Sequence, residues 1–216
     1  MREFDPLTPA PPAKRKADKT ILNRIAASYR DREFYDGSRE NGYGGYKDDG
    51  RWGPAADSLI KCYGLTEDSL VLQINCHKGF LLDALLARGI NVRGSEVSRY
   101  AIDCASHQVR PFISQAPFTV QPYGDREADL VLAVSPVYAG NLGDAIKVLR
   151  EIERVGKGRA FVTLGTYEEE ADYWLLRKWY TLGTLVLKKE EWIEVLNHCG
   201  YRGDVRFDTA AYLNLE

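Results

Sequence analysis

The residues best placed to do chemistry lie where an apolar run, a turn and a helical pattern follow one another. Residues 69–74 are mostly apolar, and Gly79 falls in the first turn of the helix predicted after them. A doubly wound α/β domain binds its ligand at a strand, turn and helix of this kind. The next apolar run carries Glu96 about 20 positions further on, an offset at which a carboxylate can accept hydrogen bonds from both ribose hydroxyls. The pattern predicts a ligand that contains a nucleoside.

The turn departs from the glycine-rich fingerprint of such sites at Asn75 and His77. Glycine at these positions lets the backbone approach a ligand closely, so a side chain there enters the pocket. Asn and His are among the non-glycine residues that best tolerate a positive φ. We therefore expect a turn that keeps its backbone shape while two side chains fill part of the pocket.

Length and charge limit the class of protein. With 216 residues and 44% apolar content, the chain is long enough for one well-buried domain and too short for two. Its net charge of −2 gives no general attraction for nucleic acid, and only residues 14–16 form a basic cluster. We expect one domain and no nucleic-acid partner.

The cysteines and the apolar runs bear on location. Cysteines 62, 76, 104 and 199 lack the close pairing of a metal site, and the three histidines are scattered. No apolar run approaches the roughly 20 residues that span a bilayer, and the first residues lack the apolar core of a signal peptide. We expect a cytoplasmic protein with reduced thiols, no metal and no membrane partner.

Before the strand and helix alternation, the chain has two unusual segments. Residues 1–19 hold four of the nine prolines and a basic cluster, a composition typical of a disordered arm. A helix is predicted from the N-cap Thr20 to about residue 32. Residues 35–52 then hold five glycines and several aromatic residues. We expect this segment to be a lid over the carboxyl ends of the strands, within one domain that covers residues 20–216.

The rest of the chain alternates between strands and helices, after a helix that begins near residue 54. Strands are predicted at 70–74, 91–95, 130–135, 160–165 and 204–208, with a further strand near 118–120. Helices are predicted near 79–88, 98–107, 143–154, 168–179 and 189–199. This order predicts an α/β fold with a single doubly wound, mainly parallel sheet that has helices on both faces, a Rossmann-like fold.

Particular residues resemble a known family. Residues 35–52, which we call the leader segment, read Tyr-Asp-Gly at 35–37, Gly-Tyr-Gly-Gly-Tyr at 42–46 and Asp-Gly-Arg-Trp at 49–52. Residues 72–82, which include the turn and the start of the following helix, read Leu-Gln-Ile-Asn-Cys-His-Lys-Gly-Phe-Leu-Leu. Further matches lie at 94–102, 151–157, 191–192 and 200–204. From about residue 29 to 208, the chain resembles class I S-adenosylmethionine-dependent methyltransferases. The resemblance is to a bacterial group often found in surface-polysaccharide or sugar-nucleotide gene neighbourhoods.

The resemblance implies S-adenosylmethionine as cofactor, S-adenosylhomocysteine as product, and no metal. It implies that the turn passes under the methionine and ribose, that Glu96 holds the ribose hydroxyls, and that Ser135 borders the adenine and the reaction centre. The residues predicted to bind the cofactor are Tyr46, Gln73, Asn75, Cys76, His77, Gly79, Glu96, Val97 and Ser135. Gln73 stands where the group has an aspartate, so a carboxylate near the cofactor's ammonium group is missing.

Two functions are consistent with these residues. The first is methyl transfer to a hydroxyl or amine of a small molecule, with a sugar or sugar-bearing intermediate as one class of acceptor. His77 is then a candidate general base and Tyr138 a second catalytic candidate, although the same residues could be a space-filling turn residue and a loop anchor. The alternative is a degenerate methyltransferase-fold protein that binds or regulates a protein partner without methyl transfer.

Overall fold

The fold is built on one sheet in which every pairing between strands is parallel. The computed structural model describes residues 1–7 and 13–216. The strands in this part of the chain are β1 (Arg2–Glu3), β2 (Leu70–Ile74), β3 (Asn91–Glu96), β4 (Ile113–Gln115), β5 (Leu130–Ala133), β6 (Ala160–Tyr167), β7 (Leu187–Lys188) and β8 (Asp204–Asp208). The prediction of a doubly wound, mainly parallel α/β fold is confirmed.

The order of the strands defines where a ligand site belongs. The order is β1-β8-β6-β5-β2-β3-β4, and β7 pairs with β6 beside this path. The chain runs outward from β2 through β3 to β4 and then returns to place β5 on the other side of β2. Ligands of open α/β sheets bind at such a reversal, outside the carboxyl ends of the strands. The ends of β2, β3 and β5 are therefore the expected site.

Helices cover both faces of the sheet. They are α1 (Ile21–Ser28), α2 (Arg32–Asp36), α3 (Trp52–Tyr63), α4 (Phe80–Leu86), α5 (Arg99–Asp103), α6 (Leu142–Val155), α7 (Glu170–Trp179) and α8 (Lys189–His198). Leu72 and Ile74 of β2 pack in one apolar core, together with residues of α6 and α8. Val71, on the opposite face of β2, packs in a second core with residues of α3 and α4. The strand is thus buried on both faces, as its continuous apolar sequence indicates.

Two details of the predicted elements are wrong. No strand forms at 118–120; the edge strand is β4, which follows a 3-10 helix at Arg110–Phe112 and has too little apolar pattern to stand out. The helix predicted to run to residue 32 ends at Ser28, because Arg30 has a φ of 48°. Asp31 then caps the separate helix α2 by accepting a hydrogen bond from the Glu33 N–H.

The described part of residues 1–19 differs from the disordered arm that its composition predicts. β1 pairs with β8, and the Arg2 guanidinium binds the Asp204 carboxylate at 2.9 and 2.7 Å. Further along, Ala17 N–H donates to the Glu216 carbonyl. Backbone pairing and charge hold these residues, whereas the prediction considered apolar burial alone. Residues 8–12 of the predicted arm lie outside the described residues.

None of the helices in the described residues is long and apolar enough to span a bilayer.

Candidate functional site

The turn after β2 has a left-handed backbone, the conformation that favours glycine, at alternate residues. Asn75, His77 and Gly79 have φ values of 63°, 54° and 76°. The left-handed region is costly for most side chains but is visited by Asn and His more often than by others. The structure thus agrees with the expectation that Asn75 and His77 preserve the shape of the turn.

Two neighbouring residues fix this turn to the fold. The N–H of buried Cys76 donates to the Ser95 carbonyl of β3 at 3.1 Å, and burial raises the pKa of its thiol. Gly79 precedes α4, and a Cβ added to it would lie 3.0 Å from Val109 Cγ2. Gly79 is therefore required both by its φ and by the space around it.

Glu96, the last residue of β3, is fully buried beneath the turn. One carboxylate oxygen accepts the His77 N–H at 2.8 Å. The other accepts the Ser98 N–H at 2.9 Å and the Tyr35 hydroxyl at 3.5 Å. The protein itself therefore supplies hydrogen-bond donors to both oxygens of the carboxylate that the resemblance assigns to the ribose.

The His77 ring fills the space beside Glu96 and is held by three side chains. Its Nδ1 lies 3.2 Å from the Tyr35 hydroxyl, and its Nε2 lies 3.2 Å from the Tyr43 hydroxyl. Asn75 Nδ2 lies 3.1 Å from His77 Nε2 and also donates to the Val134 carbonyl at 3.3 Å. Because the carbonyl fixes the Asn75 amide as a donor, Nε2 is the acceptor and Nδ1 carries the proton of the neutral ring.

Burial controls the charge of His77. Desolvation lowers its pKa to about 4, outweighing the attraction of the nearby Glu96 carboxylate. His77 is therefore neutral at pH 7 and is a weak base in this arrangement.

Three tyrosines form what we call the aromatic cover, Tyr35, Tyr43 and Tyr46. The Tyr43 ring lies 5.9 Å from that of Tyr35 and 4.5 Å from that of Tyr46, measured between centroids. Tyr46 lies 5.3 Å from the His77 ring and stacks on Phe80 at 5.3 Å. The aromatic cover thus lies on the turn, above the ends of β2 and β3.

Other residues of the 35–52 segment lie outside this cluster. Arg51 is exposed and binds Asp49 at 2.7 Å, while Asp48 is exposed and accepts the Gly50 N–H. Trp52, the first residue of α3, is partly buried against the second apolar core. Asp48 and Arg51 belong to the segment predicted to be a lid, but these contacts are local and do not join them to the turn.

An ion pair joins the leader segment to the turn, and sequence reasoning missed it. Lys78 Nζ donates to both oxygens of Asp36 at 2.7 Å and to the Tyr46 carbonyl at 3.0 Å. Asp36 also accepts the Tyr100 hydroxyl at 2.6 Å and the Tyr46 N–H at 3.2 Å. Asp36 and Lys78 lie within motifs of the resemblance, but no sequence spacing pairs residues so far apart in the chain.

Gln73 carries a buried amide whose Oε1 has no hydrogen-bond partner, and the same holds for Oδ1 of Asn75. A buried acceptor without a partner is costly, and a ligand N–H can satisfy it. Both oxygens are uncharged, so they offer an ammonium group a weaker partner than a carboxylate would.

The predicted site residues that follow β5 and β3 are Ser135, Tyr138 and Val97, and their contacts differ from one another. Ser135 has a φ of 75°, and its N–H donates to Thr163 Oγ1 at 2.9 Å. Tyr138 is buried in the core, 5.1 Å from the Tyr180 ring, and burial raises the pKa of its hydroxyl. The carbonyl of Val97 accepts from Gln115 Nε2. The polar partners of the His77 ring do not include Tyr138, so the two catalytic candidates are not joined by a hydrogen bond.

Known proteins share this fold. Residues 72–163, which contain the turn, Glu96 and Ser135, match the family model of a methyltransferase domain. No curated protein matches the chain significantly.

Solved structures give a second comparison. YcgJ of Bacillus subtilis has a TM-score of 0.55 at 16% identity over 67% of this chain; the aligned part spans 66% of YcgJ, just under two thirds. A putative methyltransferase of Haloferax volcanii, solved with the activator Trm112, has a TM-score of 0.53 at 20% identity over 70% of this chain and 73% of its own. The [4+2]-cyclase SpnF has a TM-score of 0.53 at 21% identity, covering 68% of this chain and 57% of its own. The chain therefore has a Rossmann-like methyltransferase fold, and the segment that holds the turn matches a methyltransferase domain.

Proposed function

We propose that this protein transfers the methyl group of S-adenosylmethionine to a hydroxyl or amine of a small molecule, with a sugar or sugar-bearing intermediate as one acceptor class. One observation carries the proposal. The turn keeps left-handed backbone at Asn75, His77 and Gly79 and lies directly on the Glu96 carboxylate, within the part that matches a methyltransferase domain. The proposed location is the cytoplasm, where the four cysteines, all free in the described structure, stay reduced.

The residues present fit the cofactor in chemistry. Glu96 offers a carboxylate for the ribose hydroxyls, and the unpartnered Oε1 of Gln73 offers an acceptor to the amino-acid portion. The cofactor, when bound, supplies an electrophilic methyl group. Access to Glu96 requires the Tyr35 hydroxyl and the His77 ring to move, because both now lie against this carboxylate.

The chain's own residues act chiefly by positioning and by excluding water. Methyl transfer gains much of its rate when the two reactants are held in line, and the aromatic cover would shield such a site from solvent. His77 can accept a proton only after Nε2 is released by Asn75 and Tyr43, and its low pKa makes it a weak base. Tyr138 keeps its proton because its pKa is raised, so it would orient an acceptor rather than deprotonate it.

Calorimetric titration with S-adenosylhomocysteine tests the proposal. The charged hydrogen bond missing at Gln73 is worth roughly 1.5–3 kcal/mol, which corresponds to about 10- to 100-fold in affinity. We expect weak binding by the natural chain and stronger binding after Gln73→Asp, Asn75→Gly and His77→Gly together. A single Gln73→Asp variant is the control that separates the effect of the missing carboxylate from the effect of the side chains that fill the pocket.

Tight binding by the natural chain with no gain in the triple variant would contradict the expectation that the turn weakens binding, while methyl transfer would still stand. A different result would oppose the proposal itself. No binding by either protein would favour the second candidate function.

The second candidate is a methyltransferase-fold protein that serves a protein partner without methyl transfer. The contacts of Glu96 favour it, because His77, Ser98 and Tyr35 already provide donors to the carboxylate. SpnF, described as a [4+2]-cyclase, supports the view that this fold is not confined to methyl transfer. Absence of nucleoside binding together with co-purification of a stoichiometric protein would support this candidate.

A further inference from the structure

Helix α1 presents an apolar face to solvent. Ile21, Leu22, Ile25 and Tyr29, which we call the apolar face, are 66, 72, 49 and 72% exposed. In a helix of 3.6 residues per turn, these positions fall on one side. An amphipathic helix normally packs its apolar side on the core, and α1 does the reverse.

The opposite side of α1 is fixed to the domain by polar contacts. Ala27 is fully buried there. Arg24 donates to the carbonyls of Arg177 and, at 3.3 Å, Tyr180, while Asn23 Nδ2 donates to Asn41 Oδ1 at 2.8 Å. These contacts hold α1 in its orientation, so the outward direction of the apolar face is a property of the fold.

The apolar face lies within a basic stretch of the chain. Residues 14–32 contain seven Lys or Arg and two Asp, a net charge of +5, whereas the whole chain has a net charge of −2. Lys16 and Lys19 precede the face, and Arg30 and Arg32 follow it. The side chain of Lys16 is 80% exposed and pairs at 3.1 Å with the exposed Asp18, and Arg32 is exposed as well. Cations therefore flank the exposed apolar side chains at both ends.

We propose that the apolar face and its flanking cations bind the surface of an anionic lipid bilayer, with α1 lying in the plane of the interface. Apolar side chains beside Lys and Arg are the combination that such surfaces bind, since the chains enter the acyl boundary while the cations meet anionic headgroups. The expectation of no membrane partner came from the lack of a spanning segment, which does not bear on surface binding.

A second copy of this chain is a poorer occupant of the apolar face. A symmetric contact would bring two segments of net charge +5 together, and like charges oppose association. Four side chains are also few beside the roughly 20–30 residues per partner of a stable interface. Charge complementarity therefore favours the anionic bilayer.

Co-sedimentation of the full chain with lipid vesicles tests this proposal. We expect binding to vesicles that contain about 30% phosphatidylglycerol and little binding to pure phosphatidylcholine. Raising NaCl from about 0.1 to about 0.5 M should weaken the binding because headgroup charge is screened. Leu22→Ser with Ile25→Ser should lower partitioning at least about tenfold. Val120→Ser, at a residue that is 61% exposed elsewhere, is the matched control and should change nothing.

A charge variant separates the two parts of the site. Lys16→Gln with Arg32→Gln should weaken binding to anionic vesicles about threefold or more without a change in melting temperature, because both side chains are exposed. The proposal is overturned if the natural chain does not bind anionic vesicles or if the Leu22 and Ile25 changes leave binding intact. It is also overturned if these changes instead abolish a dimer seen by sedimentation.

Discussion

Protonation of His77 should destabilise the folded protein. In the unfolded chain the imidazole has a pKa near 6.5, whereas burial lowers the pKa of His77 to about 4 in the fold. Between these values the unfolded state binds more protons, so folding stability falls as the pH is lowered from about 6.5 to about 4. A difference of about 2.5 pKa units corresponds to roughly 3 kcal/mol at pH 4, an order-of-magnitude value.

The structure gives the reason for this penalty. A charged ring can no longer accept at Nε2, so the contacts from Asn75 Nδ2 and the Tyr43 hydroxyl lose their acceptor. The Glu96 carboxylate, 3.9 Å from Nδ1, offsets only part of the cost of burying the charge. We expect protonation to loosen the contact between the aromatic cover and the turn.

Urea unfolding at several pH values between 7 and 4 measures the effect. His77→Gln removes the titrating group, so the unfolding free energy of this variant should fall less steeply with pH than that of the natural chain. His198→Gln is the control, because His198 lies at the surface end of α8. Parallel pH profiles for the natural chain and His77→Gln would refute the reasoning, as would a His77 titration near pH 6.5 by nuclear magnetic resonance.

Three further predictions concern the same region. Lys78→Met leaves Asp36 without its buried cation and should lower the unfolding free energy by about 2–3 kcal/mol. This is less than the full cost of breaking a buried ion pair, because the Asp36 side chain is 25% exposed. An unchanged urea midpoint would contradict this prediction. Glu96→Ala should abolish nucleoside binding and also cost about 2–4 kcal/mol of stability, since three donors lose their acceptor; calorimetry and urea unfolding separate the two effects. Saturating S-adenosylhomocysteine should slow tryptic cleavage within 35–52, and equal rates with and without it would count against a lid.

The sequence predicts the backbone of the site better than its side-chain contacts. Asn75 and His77 belong to residue types that tolerate a positive φ, so the shape of the turn follows from local preference. Glu96 comes near the turn because parallel pairing of β2 with β3 brings their carboxyl ends together. By contrast, the contact of Tyr35 with Glu96 depends on how the chain folds back across the sheet, which no local pattern records.

The same limit applies to the ends of the sheet. Central strands such as β5 are apolar, so the sequence predicts them. β4 is a three-residue edge strand with too little apolar pattern to be predicted. The Asp204 carboxylate that binds Arg2 lies near the other end of the chain. Pairs of this kind are set by topology, and they are found only once the order of the strands is known.

The contacts of Tyr35 and His77 with Glu96 also have a consequence for the rate of ligand binding. A nucleoside ligand at this site would compete with groups of the same chain, so only molecules in which the aromatic cover has opened would bind it. The apparent dissociation constant then equals the intrinsic constant divided by the open fraction, and an open population of about 1% weakens apparent affinity about 100-fold. The observed association rate should level off at high ligand concentration, at the rate of opening. Stopped-flow measurements would thus report the opening of this site directly, through a plateau that no amount of ligand can exceed.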